Sequence, residues 1–310
     1  VLSAQIHRWN TMRKPLKIIL LLVLVIPLGC SDNSSPEEES QNPVALRENI
    51  VSASVAFAYQ GEVLTNYLAN PKRAAVSGYF WFEEDLGDDV IFGLDIEWLE
   101  GVNNPVHVSG GDWMGLAGVT RKGILWFPIG SPVNRDGIPT DTDTWEIRDL
   151  GFDLSPNTWY QMTIIVDFEL REFVSVTLDG ANLNTTVDIS GFALEYPNYA
   201  PFDEPSLTFY TFALRGKEFA PTPLDNASVY FDDISGAIEI DSEWTTVFAN
   251  GFEDQSQIED IPVQLPVSPM ADIQEDFWYF ENENAIIDIQ EQFVRSGSKA
   301  MRCNADLTLE

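Results

Sequence analysis

The stretch Glu239-Ile-Asp241-Ser-Glu243 places three carboxylates at alternate positions. On an extended strand such positions share one face, so the three acids would project together and could exchange protons with a bound substrate. Retaining cleavage of a glycosidic bond needs two carboxylates about 5–5.5 Å apart. Residues i and i+4 of a flat strand lie ~13 Å apart at Cα, so only a strongly concave strand would close that gap. Histidine chemistry is scarce: the two histidines are His7 and His107, and His107, within Val106-His-Val108, reads as a strand-surface residue. No Gly-x-Ser-x-Gly elbow, phosphate loop, dinucleotide fingerprint or Cys-x-x-Cys pair is present. The nine tryptophans offer a different chemistry. An indole can stack on a pyranose face while carboxylates and amides bond the hydroxyls. Trp113, Trp126 and Trp145 lie near turns rich in glycine, proline and aspartate, where loops would carry a ligand site, whereas Trp81, Trp98 and Trp159 sit in strand patterns and are expected in the core.

The elements that must position these residues read as strands. In Ile91–Leu99, Phe92, Leu94, Ile96 and Trp98 point one way and Gly93, Asp95 and Glu97 the other. Val174, Val176 and Leu178 share a face before a turn at Asp179-Gly180. Met162–Phe168 and Leu207–Leu214 are apolar on both faces, as central strands between packed layers are. Turn clusters separate these runs, and no long amphipathic helix appears. The expectation is an all-β, antiparallel jelly-roll sandwich. The chain has 310 residues with 17 Lys plus Arg against 49 Asp plus Glu, a net charge of −32. Such a field repels phosphate backbones, which argues against nucleic-acid binding and suits a salty extracellular medium.

The first thirty residues read as an address. Met12-Arg-Lys-Pro-Leu-Lys17 is basic, Ile18–Ile26 is apolar but too short to span a bilayer, and Pro27-Leu-Gly-Cys30 follows. Residues 1–11 read as upstream translation and 12–29 as the signal peptide. Residues 30–48, acidic and poor in apolar side chains, read as a flexible tether. The Leu-Gly-Cys ending resembles a bacterial lipoprotein signal. That resemblance implies lipidation of Cys30, a membrane partner through the anchor and, with Ser31 next, an outer-membrane or cell-surface location.

Asp149–Gly180, with Trp159-Tyr160 opening a strand, Asp167 closing it and a hairpin ending on Asp179-Gly180, resembles the core of concanavalin A-like, laminin G-type jelly rolls. Val229–Ile234 resembles their last strand, so the resemblance spans residues 49–238, with 239–249 as a linker. Asn250-Gly-Phe-Glu-Asp254 and, later, Arg295-Ser-Gly-Ser-Lys-Ala-Met301 resemble the opening of a carbohydrate-binding jelly roll. A second module, incomplete at Glu310, is therefore expected over 250–310. Members of these families often pin a sheet edge with Ca²⁺, which implies a structural calcium role for Asp232 and Asp233 in the first module and for Glu253 and Asp254 in the second. Six to eight oxygens would be required at such a site. The Glu239–Glu243 stretch resembles the catalytic strand of family 16 glycoside hydrolases, in which Glu239 would be nucleophile, Glu243 acid/base and Asp241 their electrostatic support. Its place after an apparent closing strand argues against that role. The expected function is a surface-anchored, non-catalytic lipoprotein that binds extracellular polysaccharide or a glycoprotein. A β-glucan hydrolase and a scaffold without a glycan site are the alternatives.

Overall fold

Alternating apolar residues over most of the chain can bury one face each only by pairing into sheets and stacking those sheets. The computed structural model describes residues 50–60, 72–99, 112–130, 144–195, 206–216, 226–256, 274–281 and 286–305. Sixteen strands occur among them: β1 (Ile50–Gln60), β2 (Arg73–Phe82), β3 (Ile91–Leu99), β4 (Asp112–Met114), β5 (Ala117–Val119), β6 (Ile124–Ile129), β7 (Thr144–Asp149), β8 (Tyr160–Asp167), β9 (Glu172–Gly180), β10 (Leu183–Asp188), β11 (Ser206–Gly216), β12 (Ser228–Ile240), β13 (Glu243–Asn250), β14 (Gln274–Glu281), β15 (Ile286–Gln290) and β16 (Ala300–Asn304). They form two eight-stranded sheets. The first runs β14-β1-β11-β3-β5-β6-β7 with β4 beside β3; the second runs β10-β9-β8-β2-β12-β16-β15 with β13 beside β12. Every named pairing is antiparallel. The all-β sandwich expected from the alternation is the fold observed.

The core lies between the sheets. Phe92, Leu94, Ile96 and Trp98 of β3 point inward with Leu207, Phe209 and Ala213 of β11, and they meet Val76, Phe80, Met162 and Ile164 of the second sheet. The rings of Phe80 and Phe92 touch edge to face at 5.0 Å across the layers. Each such buried aromatic contributes about 1.5–3 kcal/mol of transfer free energy. One register departs from the sequence pattern. A bulge sets Ile165 opposite Ser175 and Val166 opposite Phe173, so Phe173 takes the core position and Val174 is displaced from it.

The division into modules differs from the expected one. Residues 239–249 form the β12–β13 hairpin rather than a linker, and the strands of 250–310 join the two sheets already described: β14 pairs with β1, and β16 with β12. The reason lies in β12. One side of this thirteen-residue strand lies along β2, while the other side needs partners for its whole length. Ser228–Phe231 pair with β16 and Ile234–Ile240 with β13, and a register shift against β2 between Asp232 and Ser235 falls where the partner changes.

Candidate functional site

Asp232 is fully buried at the junction where β12 changes partner. Its carboxylate accepts backbone N–H bonds from Arg295 at 2.9 Å, Ser296 at 3.1 Å and Asp233 at 2.8 Å. These acceptor positions stand in for the strand pairing that lapses there. Burial pushes the Asp232 carboxyl up, and the backbone donors of Ser296 and Arg295 oppose that shift. Asp233, at φ 49°, pairs with the Arg295 guanidinium and accepts from Ser296 Oγ at 2.9 Å. Glu253 takes the other end of the same loop. It accepts from Ser298 N–H at 2.9 Å, Ser298 Oγ at 2.8 Å and Lys299 N–H at 3.1 Å. The Ser298 donors hold its carboxyl below the usual range. Asp254 is exposed.

Donor chemistry decides how this set relates to calcium. Ca²⁺ takes oxygen ligands only, whereas Asp232, Asp233 and Glu253 face N–H and O–H donors and a guanidinium. Among the described residues no group of three or more His, Cys, Asp or Glu is placed to hold a metal ion. The residues expected to bind calcium do not fit it as arranged. They instead join Asn250–Asp254 to Arg295–Lys299, so the two stretches of sequence that resembled one domain do meet.

The Glu239–Glu243 stretch is not one strand. Asp241 and Ser242, with φ 51° and 67°, form the two-residue turn of the β12–β13 hairpin. Glu239 lies opposite Trp244 and Ile240 opposite Glu243. Cross-strand partners share a face, so Glu239 and Glu243 fall on opposite faces of the ribbon. The carboxylates are not brought together, and the hydrolase assignment loses its geometry.

The three tryptophans separate as well. Trp113 is fully buried, with the Arg171 guanidinium 4.5 Å above its ring, so it offers no stacking surface. Trp126 and Trp145 are half-buried neighbours on β6 and β7, their rings 6.4 Å apart and steeply inclined. Both indole N–H groups are buried without a hydrogen-bond partner. Trp244, which the sequence pattern did not single out, is the exposed tryptophan of the described residues at 47%.

Trp126 and Trp145 stand on the outer face of the first sheet, and that face holds a group the motifs did not reveal. Because β3 sends Phe92, Leu94, Ile96 and Trp98 inward, Asp95 and Glu97 turn outward. Register sets Tyr210 of β11 opposite Asp95 and Thr208 opposite Glu97. Both acids are nearly buried, at 3% and 7% exposure. Burial drives the Glu97 carboxyl up to about 7, against hydrogen bonds from Tyr210 and Asp95. A hydrogen bond between two carboxyls requires a proton on the pair, and desolvation supplies the reason it is kept. Thr208 is fully buried and its hydroxyl has no partner. Ile91, Phe212 and Leu214, packed with Leu116 and Trp126, add an apolar patch to this face. The arrangement can accept and donate several hydrogen bonds beside aromatic surface. Carboxyls in hydrogen-bonding contact stand closer than the ~5–5.5 Å pair of a retaining glycosidase.

The remaining features expected from the sequence lie elsewhere. Cys30, the signal peptide, the tether and His107 lie outside the described residues. Cys303 is a free, fully buried thiol in the core, its pKa pushed up by desolvation.

No protein-family description matches the chain, and no curated protein does. Among solved structures, scytalido-glutamic peptidase with a transition-state analogue inhibitor is 12% identical, covering 82% of this chain and 98% of that one with a TM-score of 0.31. The PL-14 alginate lyase of Aplysia kurodai is 11% identical over 46% of this chain and 69% of that one, TM-score 0.27. Alginate lyase vAL-1 from Chlorella virus is 8% identical over 54% and 84%, TM-score 0.26. These superpositions are loose, and the fold assignment rests on the strand order and register above.

Proposed function

We propose that this protein binds extracellular carbohydrate, or the glycan of a glycosylated partner, on the outer face of the first sheet without cleaving it. The observation that carries the reading is the pairing of two adjacent indoles, Trp126 and Trp145, whose N–H groups lack partners, with Asp95, Glu97 and Thr208 on the same face. A pyranose offers what such a face needs, an apolar ring face for aromatic contact and hydroxyls that both donate and accept. The displaced Glu239–Glu243 carboxylates support binding over hydrolysis. Within the sandwich class, the chain is read as concanavalin A-like or laminin G-like.

The leader pattern and Cys30 support a lipid-anchored protein of the bacterial envelope, and mass spectrometry of the mature N-terminus tests it: an unmodified Cys30 would exclude the anchor. The net charge of −32 argues against a nucleic-acid partner. Affinity electrophoresis of the full chain through gels containing laminarin, mixed-linkage glucan or agar tests the binding reading. Retardation that Trp126→Ala or Trp145→Phe abolishes supports it. Migration unchanged by every polymer would leave a scaffold without a glycan site.

A further inference from the structure

The eight strands of the first sheet contain only two cationic residues, Arg148 and Arg215. Both turn inward. Arg148 lies 5.6 Å from the Phe127 ring and 5.1 Å from the Phe192 ring and donates to the Asp188 carbonyl at 3.0 Å. Arg215, 1% exposed as a side chain, donates to Asp89 at 2.7 Å. Among the described residues the outer face is left with hydroxyls, indole N–H groups and a carboxyl pair. Thr208 points to a ligand independently of the acids: its hydroxyl is fully buried, has no partner and sits in register with Glu97. A buried hydroxyl left unsatisfied costs about 1–3 kcal/mol.

We infer that this face selects uncharged glycan chains over uronate- or sulfate-bearing ones, with Asp95, Glu97 and Thr208 as the groups that set the preference. The inference rests on the carbohydrate-binding reading above. A neutral sugar hydroxyl can donate to Asp95 and accept from Thr208 or an indole N–H. Among the described residues a uronate carboxylate meets no cation on this face and is set against the carboxyl pair, so its desolvation goes uncompensated. Sulfate esters meet the same obstacle. Recognition of such anions ordinarily uses arginine or lysine at the site, and here the two cations of the sheet's strands turn to its inner side.

The test compares the full chain's affinity for laminarin with that for polygalacturonate and alginate, by affinity electrophoresis at about 0.5 M salt. There the Debye length falls to roughly 4 Å, which removes the general repulsion of a polyanion by an acidic protein. Laminarin should be bound about tenfold or more tightly than either acidic polymer. Thr208→Val and Asp95→Asn should each weaken laminarin binding by about three- to tenfold. Glu97→Gln, which keeps a neutral hydrogen-bonding head, should retain it within about threefold. Thermal unfolding confirms that each variant is folded. Equal or tighter binding of polygalacturonate or alginate, with Trp126 still required, overturns the neutral preference and leaves the binding face standing. Unchanged laminarin binding in folded Thr208→Val and Asp95→Asn overturns the assigned groups. No binding of any polymer overturns both readings.

Discussion

Glu97 faces the outer side of β3 with Tyr210 and Asp95 as its hydrogen-bond partners, and its burial ties stability to pH. Its folded-state pKa is raised, so its contribution to stability is fully present below the ordinary glutamate value and is lost as pH rises through about 7. At roughly 1.4 kcal/mol per pKa unit, the loss by about pH 8 is on the order of 3 kcal/mol. Glu97→Gln cannot ionise. Thermal unfolding should show the variant more stable than wild type near pH 8 and little different near pH 4, and a wild-type midpoint flat across that range would contradict the account. The sequence made half of this legible: the alternation in Ile91–Leu99 puts Asp95 and Glu97 on one face. It could not reveal Thr208 and Tyr210 beside them, because the register joining β3 to β11 is set by packing far along the chain. Nor did Trp113 betray its burial, since a tryptophan near glycines looks the same whether its strand faces outward or in.

At the level of elements, the Arg295–Lys299 loop is the piece most dependent on particular groups. Gly297 has φ +66°, and a Cβ there would lie 2.2 Å from Glu253 Oε1. Gly297→Ala should therefore destabilise the protein by about 1–3 kcal/mol, measured by denaturant unfolding. In a Glu253→Ala background the effect should shrink, because the clash is removed. Asp232→Ala orphans three backbone donors and should cost still more, about 2–4 kcal/mol. EDTA should leave the thermal midpoint of wild type within about 2 °C, and a larger fall would restore a metal to this edge. The acidic pairs suggested calcium because side-chain type alone does not tell an oxygen that binds a cation from one that caps backbone N–H groups. The Glu239–Glu243 stretch misled for a related reason. Alternating polarity reads identically along one strand and around a two-residue hairpin, and Asp241-Ser242 lacks the glycine that marks such turns. Replacing Asp241-Ser242 with Asn-Gly should stabilise the hairpin by about 0.5–1 kcal/mol; a destabilised variant would count against the positive-φ turn.

For the molecule as a whole, the alternation sufficed for fold class, and the order of strands did not follow from it. Met301 and Cys303 read as part of a separate module, yet both are fully buried in the core shared by the two sheets. A chain ending at residue 249 should consequently fail to unfold cooperatively, because β1 loses its β14 partner and β12 its β16 partner; a truncated chain with the full midpoint would reinstate an independent first module. Cys303 should stay inert to thiol reagents until the protein is denatured, since desolvation disfavours its thiolate. Where a glycan sits on the molecule is read by oxidative footprinting of the full chain with and without laminarin. Trp126 and Trp145 should be protected by the polysaccharide while the exposed Trp244 is labelled as before. Protection of Trp244, with Trp126 and Trp145 unaffected, would move the site to the other sheet and contradict the account.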